Sequence, residues 1–239
     1  MAADRDDKES KMRKTLLVTL TLLVAGIAAG AGDPWKQKDY KDWDVQDLER
    51  IFYDSPWGIK VNIAGANAAE ITSMGSSSGH VGGSMQPGVN VDAKLVFVVQ
   101  WGSSLTMRRA YVVASTREGR ISEADGEKLL EAPAENYVIS LAGPGLVELP
   151  NLEMALMKVT YLKPKKTKEQ VQPSKIVLKR GTDGKLNTIL FTFPKKLENG
   201  DPTIGAQEKS VEFVCKAPGA FIQTTFNLEK MVAEKGPDW

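Results

Sequence analysis

The sequence predicts a β-rich α+β fold: an antiparallel sheet or sandwich with an N-terminal amphipathic helix and short helices packed on it. Three observations predict it. Lys41–Trp57, KDWDVQDLERIFYDSPW, has the apolar period of a helix. Val89–Trp101, VNVDAKLVFVVQW, is the strongest strand signal in the chain. Beyond Tyr137, short strand-like runs alternate with turn-forming residues. With 239 residues, 42% of them hydrophobic, the chain can bury a substantial core as one domain or two small ones.

In the first helix, Val45, Leu48, Ile51 and Phe52 recur on one face. Asp44 suits the N-cap, and Asp47 and Arg50 sit where the helix dipole favours an acid and a base. Pro56 stops the helix and pushes Ser55 toward extended geometry. Trp43 and Trp57 flank it. They read as core anchors, against the alternative of an aromatic platform for a ligand.

The N-terminus has a different composition. Lys11, Arg13 and Lys14 precede an apolar stretch, Thr15–Gly32, that ends in small residues. This is the order of a secretory signal, with Ala29-Gly30-Ala31 fitting the cleavage pattern before Gly32. The alternative is an uncleaved anchor, although the stretch is only marginally long enough and its Thr and Gly residues weaken a span. Met12 is a second candidate start. Residues 1–31 are thus expected to be a signal peptide or anchor, and 32–239 a single β-rich domain. Removing 1–31 leaves 26 basic and 26 acidic residues, a neutral chain that argues against nucleic acid as a partner. Membrane contact is expected only through the N-terminal segment, if it stays uncleaved. The one cysteine, Cys215, excludes an intramolecular disulfide. It shares a strand face with Val211 and Phe213, the setting of a buried small hydrophobe.

After a polar leader, Gly32–Tyr40, and the helix, Ile59–Ile63 predicts a strand. Residues 64–88 hold GSSSGHVGGSMQPG and read as a Gly/Ser-rich loop, because strand-like sequence lies on both sides. Leu95–Val99 is apolar on both faces, which places that strand mid-sheet. Ser103 or Ser104 caps a helix through about Ser115, with Tyr111 and Val112 inward. Ser122 and Asp125 open another through Glu131, docked by Leu129 and Leu130. Tyr137–Leu141 is a strand, Asn151 caps a single turn at Leu152–Ala155, and Met157–Leu162 is a strand. Lys163–Lys168, KPKKTK, reads as a solvated basic loop. Its alternative is a phosphate or lipid-headgroup patch, disfavoured for want of a cradle of backbone donors.

Thr182-Asp183-Gly184 pairs Lys175–Lys179 with Leu186–Phe193 in a hairpin. Ala217-Pro218-Gly219-Ala220 does the same for Ser210–Lys216 and Phe221–Asn227. These four strands are expected to form one meander, closed by a short helix over Leu228–Lys235.

Chemistry is sparse. His80 is the only histidine, so mechanisms or metal sites needing two are excluded. Gly75–Gly79 matches G-x-S-x-G around Ser77, but a nucleophile elbow needs a buried strand before it and a helix after it; Ala68–Met74 reads only weakly as that strand and His-Val-Gly-Gly follows, so chance and Gly/Ser composition explain the match. The acids around the first helix miss the Ca²⁺-loop pattern. No cofactor is expected and no catalytic residue is assigned. Candidate sites are Trp43, Trp57 and Trp101 for a ligand, and Ser76, Ser77, Ser78 and His80 for a partner.

Three segments carry a resemblance: the helix ending Asp54–Trp57 (DSPW), Gln100–Ala110 (QWGSSLTMRRA), and the later run FTFPK, VEFVCK, FNLEKMV. They resemble a loosely defined group of exported bacterial proteins of unknown function. The resemblance implies export and a shared fold, and carries no catalytic residue. The expectation is therefore an exported interaction or assembly component in the periplasm, cell envelope or outside the cell, with a protein partner. A small-ligand or glycan binder is the alternative, and a carboxylate-based hydrolase the third reading.

Overall fold

The structure is a computed structural model and describes residues 32–63, 95–143, 146, 150–217, 220–234 and 236–239. The proposed signal segment, the Gly/Ser-rich loop with Ser76, Ser77, Ser78 and His80, and the tip of the Ala217–Ala220 turn lie outside the described residues. The chain divides into two compact units, Met1–Gln37 and Lys38–Trp239. The described part of the first holds a one-turn helix, α1 (Pro34–Gln37). Everything below concerns the second.

The fold is α+β and β-rich, with every strand pair antiparallel. Helix α2 (Val45–Tyr53) opens with a reciprocal capping box. The Asp44 side chain accepts from Asp47 N, and the Asp47 side chain accepts from Asp44 N. That backbone donation is the first reason the Asp44 carboxyl is held below its ordinary pKa. Leu48 and Ile51 are buried as the period requires, whereas Val45, in the first turn, is 65% exposed. A tight turn through Pro56 then pairs β1 (Asp54–Ser55) with the start of β2 (Gly58–Ile63). Gly58 is required there: a Cβ would stand 2.3 Å from the Phe52 carbonyl oxygen.

β3 (Leu95–Trp101) sits inside a six-stranded sheet of order β1-β2-β3-β4-β7-β6, with β4 at Asn136–Ala142, β6 at Lys175–Arg180 and β7 at Leu186–Pro194. β6 and β7 form the expected hairpin, with Gly184 at φ 76° and Asp183 accepting from Lys185 N. The second hairpin forms too, as β8 (Ser210–Ala217) and β9 (Ala220–Asn227). It does not continue the first. β8 and β9 join β5 (Thr160–Pro164) in a separate three-stranded sheet of order β5-β8-β9, so the expected single meander is two sheets.

The sheets pack face to face. Phe213 meets Phe191 and Phe193 with ring centroids 5.5 and 6.5 Å apart, and Trp101 meets Phe226 at 5.0 Å. Burial of each such aromatic contributes about 1.5–3 kcal/mol. Cys215 is buried on the same inner face, where the Thr160 hydroxyl lies 3.4 Å from its sulfur.

The opposite face of β3 carries α3 (Leu105–Arg117) and α2. Ser104 caps α3 by accepting from Met107 N. Thr106, Met107, Ala110 and Val113 make its buried face, while Tyr111 is 41% exposed, so the inward pair expected at Tyr111 and Val112 is rotated by about one residue. α4 (Glu123–Glu131) is capped by Ser122 as expected, but docks through Gly126; Leu129 is 58% exposed. Close approach explains this, since a Cβ on Gly126 would lie 2.6 Å from Val112 Cγ1.

α5 (Leu152–Val159) runs two turns rather than one, and Asn151 before it is left-handed at φ 60° with no side-chain cap. The strand expected from Met157 therefore starts only at Thr160. The closing helix is absent. Of the three residues expected to face the sheet, Leu228 and Met231 are buried and Val232 is 39% exposed, because a turn and a two-residue ladder, β10 (Val232–Ala233) with β11 (Gly236–Pro237), replace the helix.

Candidate functional site

The candidate tryptophans all enter the core. Trp43, Trp57 and Trp101 are 2%, 0% and 0% exposed, so none offers a ring face to a ligand. Trp43 packs edge-on to Tyr40 and its carbonyl accepts from Arg117. Trp101 is held between Tyr137 and Phe226. Trp57 donates its indole N–H to the Asp238 carbonyl.

Beneath α2 and α3 lies a buried polar cluster. Gln100, the polar residue in an apolar strand, donates to the Phe52 carbonyl at 3.0 Å and accepts from the Tyr111 and Ser140 hydroxyls. Burial raises the Tyr111 pKa. Every polar group in this cluster has a partner, which is the signature of a structural network.

Of the surface depressions among the described residues, two gather charged and hydroxyl side chains. The first is a cleft of about 170 Å³ lined by Tyr40, Lys41, Val113, Thr116, Arg117 and Glu127. Lys41 bridges to Glu127 at 2.6 Å across it, and that hydrogen bond holds the ammonium above its ordinary pKa. Arg109 stacks on the Tyr40 ring at 4.9 Å. The Thr116 hydroxyl is buried with no hydrogen-bond partner among the described residues.

The second depression is a groove of about 320 Å³ on the three-stranded sheet, lined by Lys163, Lys165, Lys168, Ser210, Glu212 and Thr225. Strand alternation points Lys163 away from the core, and the register places it opposite Glu212, which in turn lies opposite Thr225. The turn that follows, residues 165–168, carries the other two lysines. A cradle of backbone donors does exist here, contrary to the sequence expectation, but it is filled from within. The carboxylate of Glu208, itself 6% exposed, accepts from Lys166 N at 2.8 Å and Thr167 N at 3.0 Å. Glu208 was missed because its role depends on a contact across 41 or 42 residues with no local motif.

Among the described residues, no three His, Cys, Asp or Glu side chains are grouped to hold a metal ion, and no helix is long and apolar enough to cross a membrane. No protein-family model, curated protein or solved structure matches this chain.

Proposed function

We propose that the protein is an exported, non-enzymatic interaction component of the cell envelope, and that its partner adds a strand to the outer edge of β9. The carrying observation is the composition of that edge. Natural sheets protect exposed edges with charge, proline or brevity. β1 is two residues long, β6 carries Lys175, Lys179 and Arg180, and β5 carries Lys163 and Pro164. β9, AFIQTTFN, is eight residues without charge or proline, and its Phe221 is 47% exposed. β2 runs close by but forms no ladder with it. Such an edge fits an extended peptide, with main-chain bonds for affinity and Phe221 as an anchor.

A photo-crosslinking residue at Gln223, in the native host, tests this against the same residue at Lys179 on β6. The expected result is a discrete adduct from position 223 alone, lost when Phe221→Lys is added. Equal adducts from both positions, or none from 223, would reject it.

A second reading is a small-ligand binder acting through the α3–α4 cleft, favoured by a Thr116 hydroxyl that lines it yet is enclosed with no hydrogen-bond partner among the described residues. A polar ligand would satisfy that group once the α3–α4 contact at Gly126 opens to admit it. Ligands that raise the melting temperature of the full-length protein but not of Thr116→Val would support it; a ligand that stabilises both equally would not.

A further inference from the structure

We infer that the groove of Lys163, Lys165 and Lys168 binds a phosphate-type oxyanion, presented either free or as a lipid headgroup. This stands apart from the β9-edge reading, since a failed crosslink would leave the groove's chemistry unchanged.

The three lysines line one depression together with the hydroxyl-bearing Ser210 and Thr225. The single acid lining it, Glu212, is engaged: Lys163 Nζ lies 3.9 Å from one oxygen, and Gln223 donates to the other. Among the described residues, Lys165 and Lys168 make no ion pair, so the groove holds surplus positive charge. Lys166, between them, turns away to Gln207 at 3.3 Å.

The turn is also held in place, which separates it from an ordinary solvated lysine run. Glu208 clamps the amides of Lys166 and Thr167, as described above. Lys165 N donates to the Ser210 carbonyl at 3.1 Å and Lys168 N to the Pro164 carbonyl at 2.9 Å. Lys168 sits at φ 59°, a left-handed conformation that a lysine keeps only where its surroundings over-determine it. The clamp therefore fixes the backbone from which Lys165 and Lys168 extend, and less ordering remains to be done on binding. Lysine point charges and hydroxyls supplied from β5, the turn after it, β8 and β9 suit a tetrahedral oxyanion better than a planar carboxylate, which favours a bidentate arginine. A water takes about 30 Å³ of liquid volume, so the groove has room for such an ion with part of its hydration shell.

The test compares the full-length protein with Lys165→Gln/Lys168→Gln and with a charge-matched control on β6, Lys175→Gln/Lys179→Gln. Inorganic phosphate and pyrophosphate are titrated by ³¹P NMR and calorimetry at low and high salt. The expected result is saturable binding that weakens about tenfold in the groove variant, is unchanged in the control, and falls with salt. Sedimentation with phosphatidylcholine vesicles, with and without phosphatidic acid, then separates the two sources. An increment from phosphatidic acid that is lost in the groove variant assigns a headgroup; phosphate binding without that increment assigns a free ion. Equal weakening in both variants, or wild-type protein binding neither phosphate nor the anionic vesicles, would overturn the inference. All four substituted lysines are exposed, so the fold is expected to survive, with unchanged thermal melting as the check.

Discussion

The indole N–H of Trp57 donates a 2.6 Å hydrogen bond to the main-chain carbonyl of Asp238, 181 residues further along the chain. The same residue's carboxylate accepts from Leu105 N and Thr106 N, at 2.5 and 2.9 Å, in the first turn of α3. Asp238 is 8% exposed, and its bonds to Trp57 and Thr106 are buried while that to Leu105 is part-buried. The last turn and ladder of the described chain thereby take part in the core, with Trp239 packing near Tyr137 at 6.5 Å.

Asp238→Ala removes both acceptors from the α3 amides. The expected cost is about 1–3 kcal/mol, the range for a lost cap and two stranded donors, with Asp238→Asn costing less. Denaturant titration measures it, and an unchanged slope would show that the loss is one of stability rather than of compactness.

Gln100→Leu is expected to cost more than Tyr111→Phe. The first strands the Phe52 carbonyl and two hydroxyls at once; the second removes a hydroxyl along with one bond. About 2–3 kcal/mol against about 1 kcal/mol is the expected contrast in equilibrium unfolding. A double variant costing less than the sum would show that the two residues share one network.

Alkaline pH is expected to destabilise the fold through the buried Tyr137 and through the Tyr111 hydroxyl, which is enclosed at Gln100 although its ring is partly exposed. Burial pushes the Tyr137 pKa up to about 12 and raises that of Tyr111 as well. A phenol with a raised native pKa holds its proton more tightly when folded than when unfolded. Its contribution is therefore whole below about pH 10, the unfolded value, and is lost as pH climbs toward 12. Denaturation midpoints across this window should fall for the wild type and fall less for Tyr137→Phe.

Glu208→Ala is expected to loosen the lysine turn without unfolding the sheets. Hydrogen exchange at the amides of Lys166 and Thr167 should accelerate, while that of core β8 residues such as Phe213 stays slow. Global stability should drop by about 1–3 kcal/mol for the two stranded donors. Glu208→Gln, which keeps one acceptor, should restore part of the protection.

Capping and turn chemistry were legible because they act over three or four residues. Asp44, Ser104, Ser122 and the Asp183-Gly184 turn all behave as their local chemistry requires; Asn151 is the cap that fails, left-handed and without a side-chain bond to α5. The other errors share a different origin. Tyr111, Leu129 and Val45 are apolar residues whose burial depends on what lies opposite, and a helix period has no information about that. Leu228 and Met231 have helical spacing, yet a turn buries them equally well, because spacing of three describes a turn as much as a helix. The lysine turn was visible as a charge run, while its clamp, Glu208, had no pattern to announce it.

The sequence by itself determined the fold class, both hairpins, three of the helices, the first turn of α5 and the burial of Cys215, because local hydrogen bonding and apolar alternation act between near neighbours. Only the tertiary structure decided that the strands divide into two sheets, that Asp238 secures Trp57 and α3, and that three lysines share one groove with Ser210 and Thr225. Those outcomes depend on contacts between segments far apart in the chain, where the free energy of burying one surface against another selects among arrangements that local preferences leave equivalent.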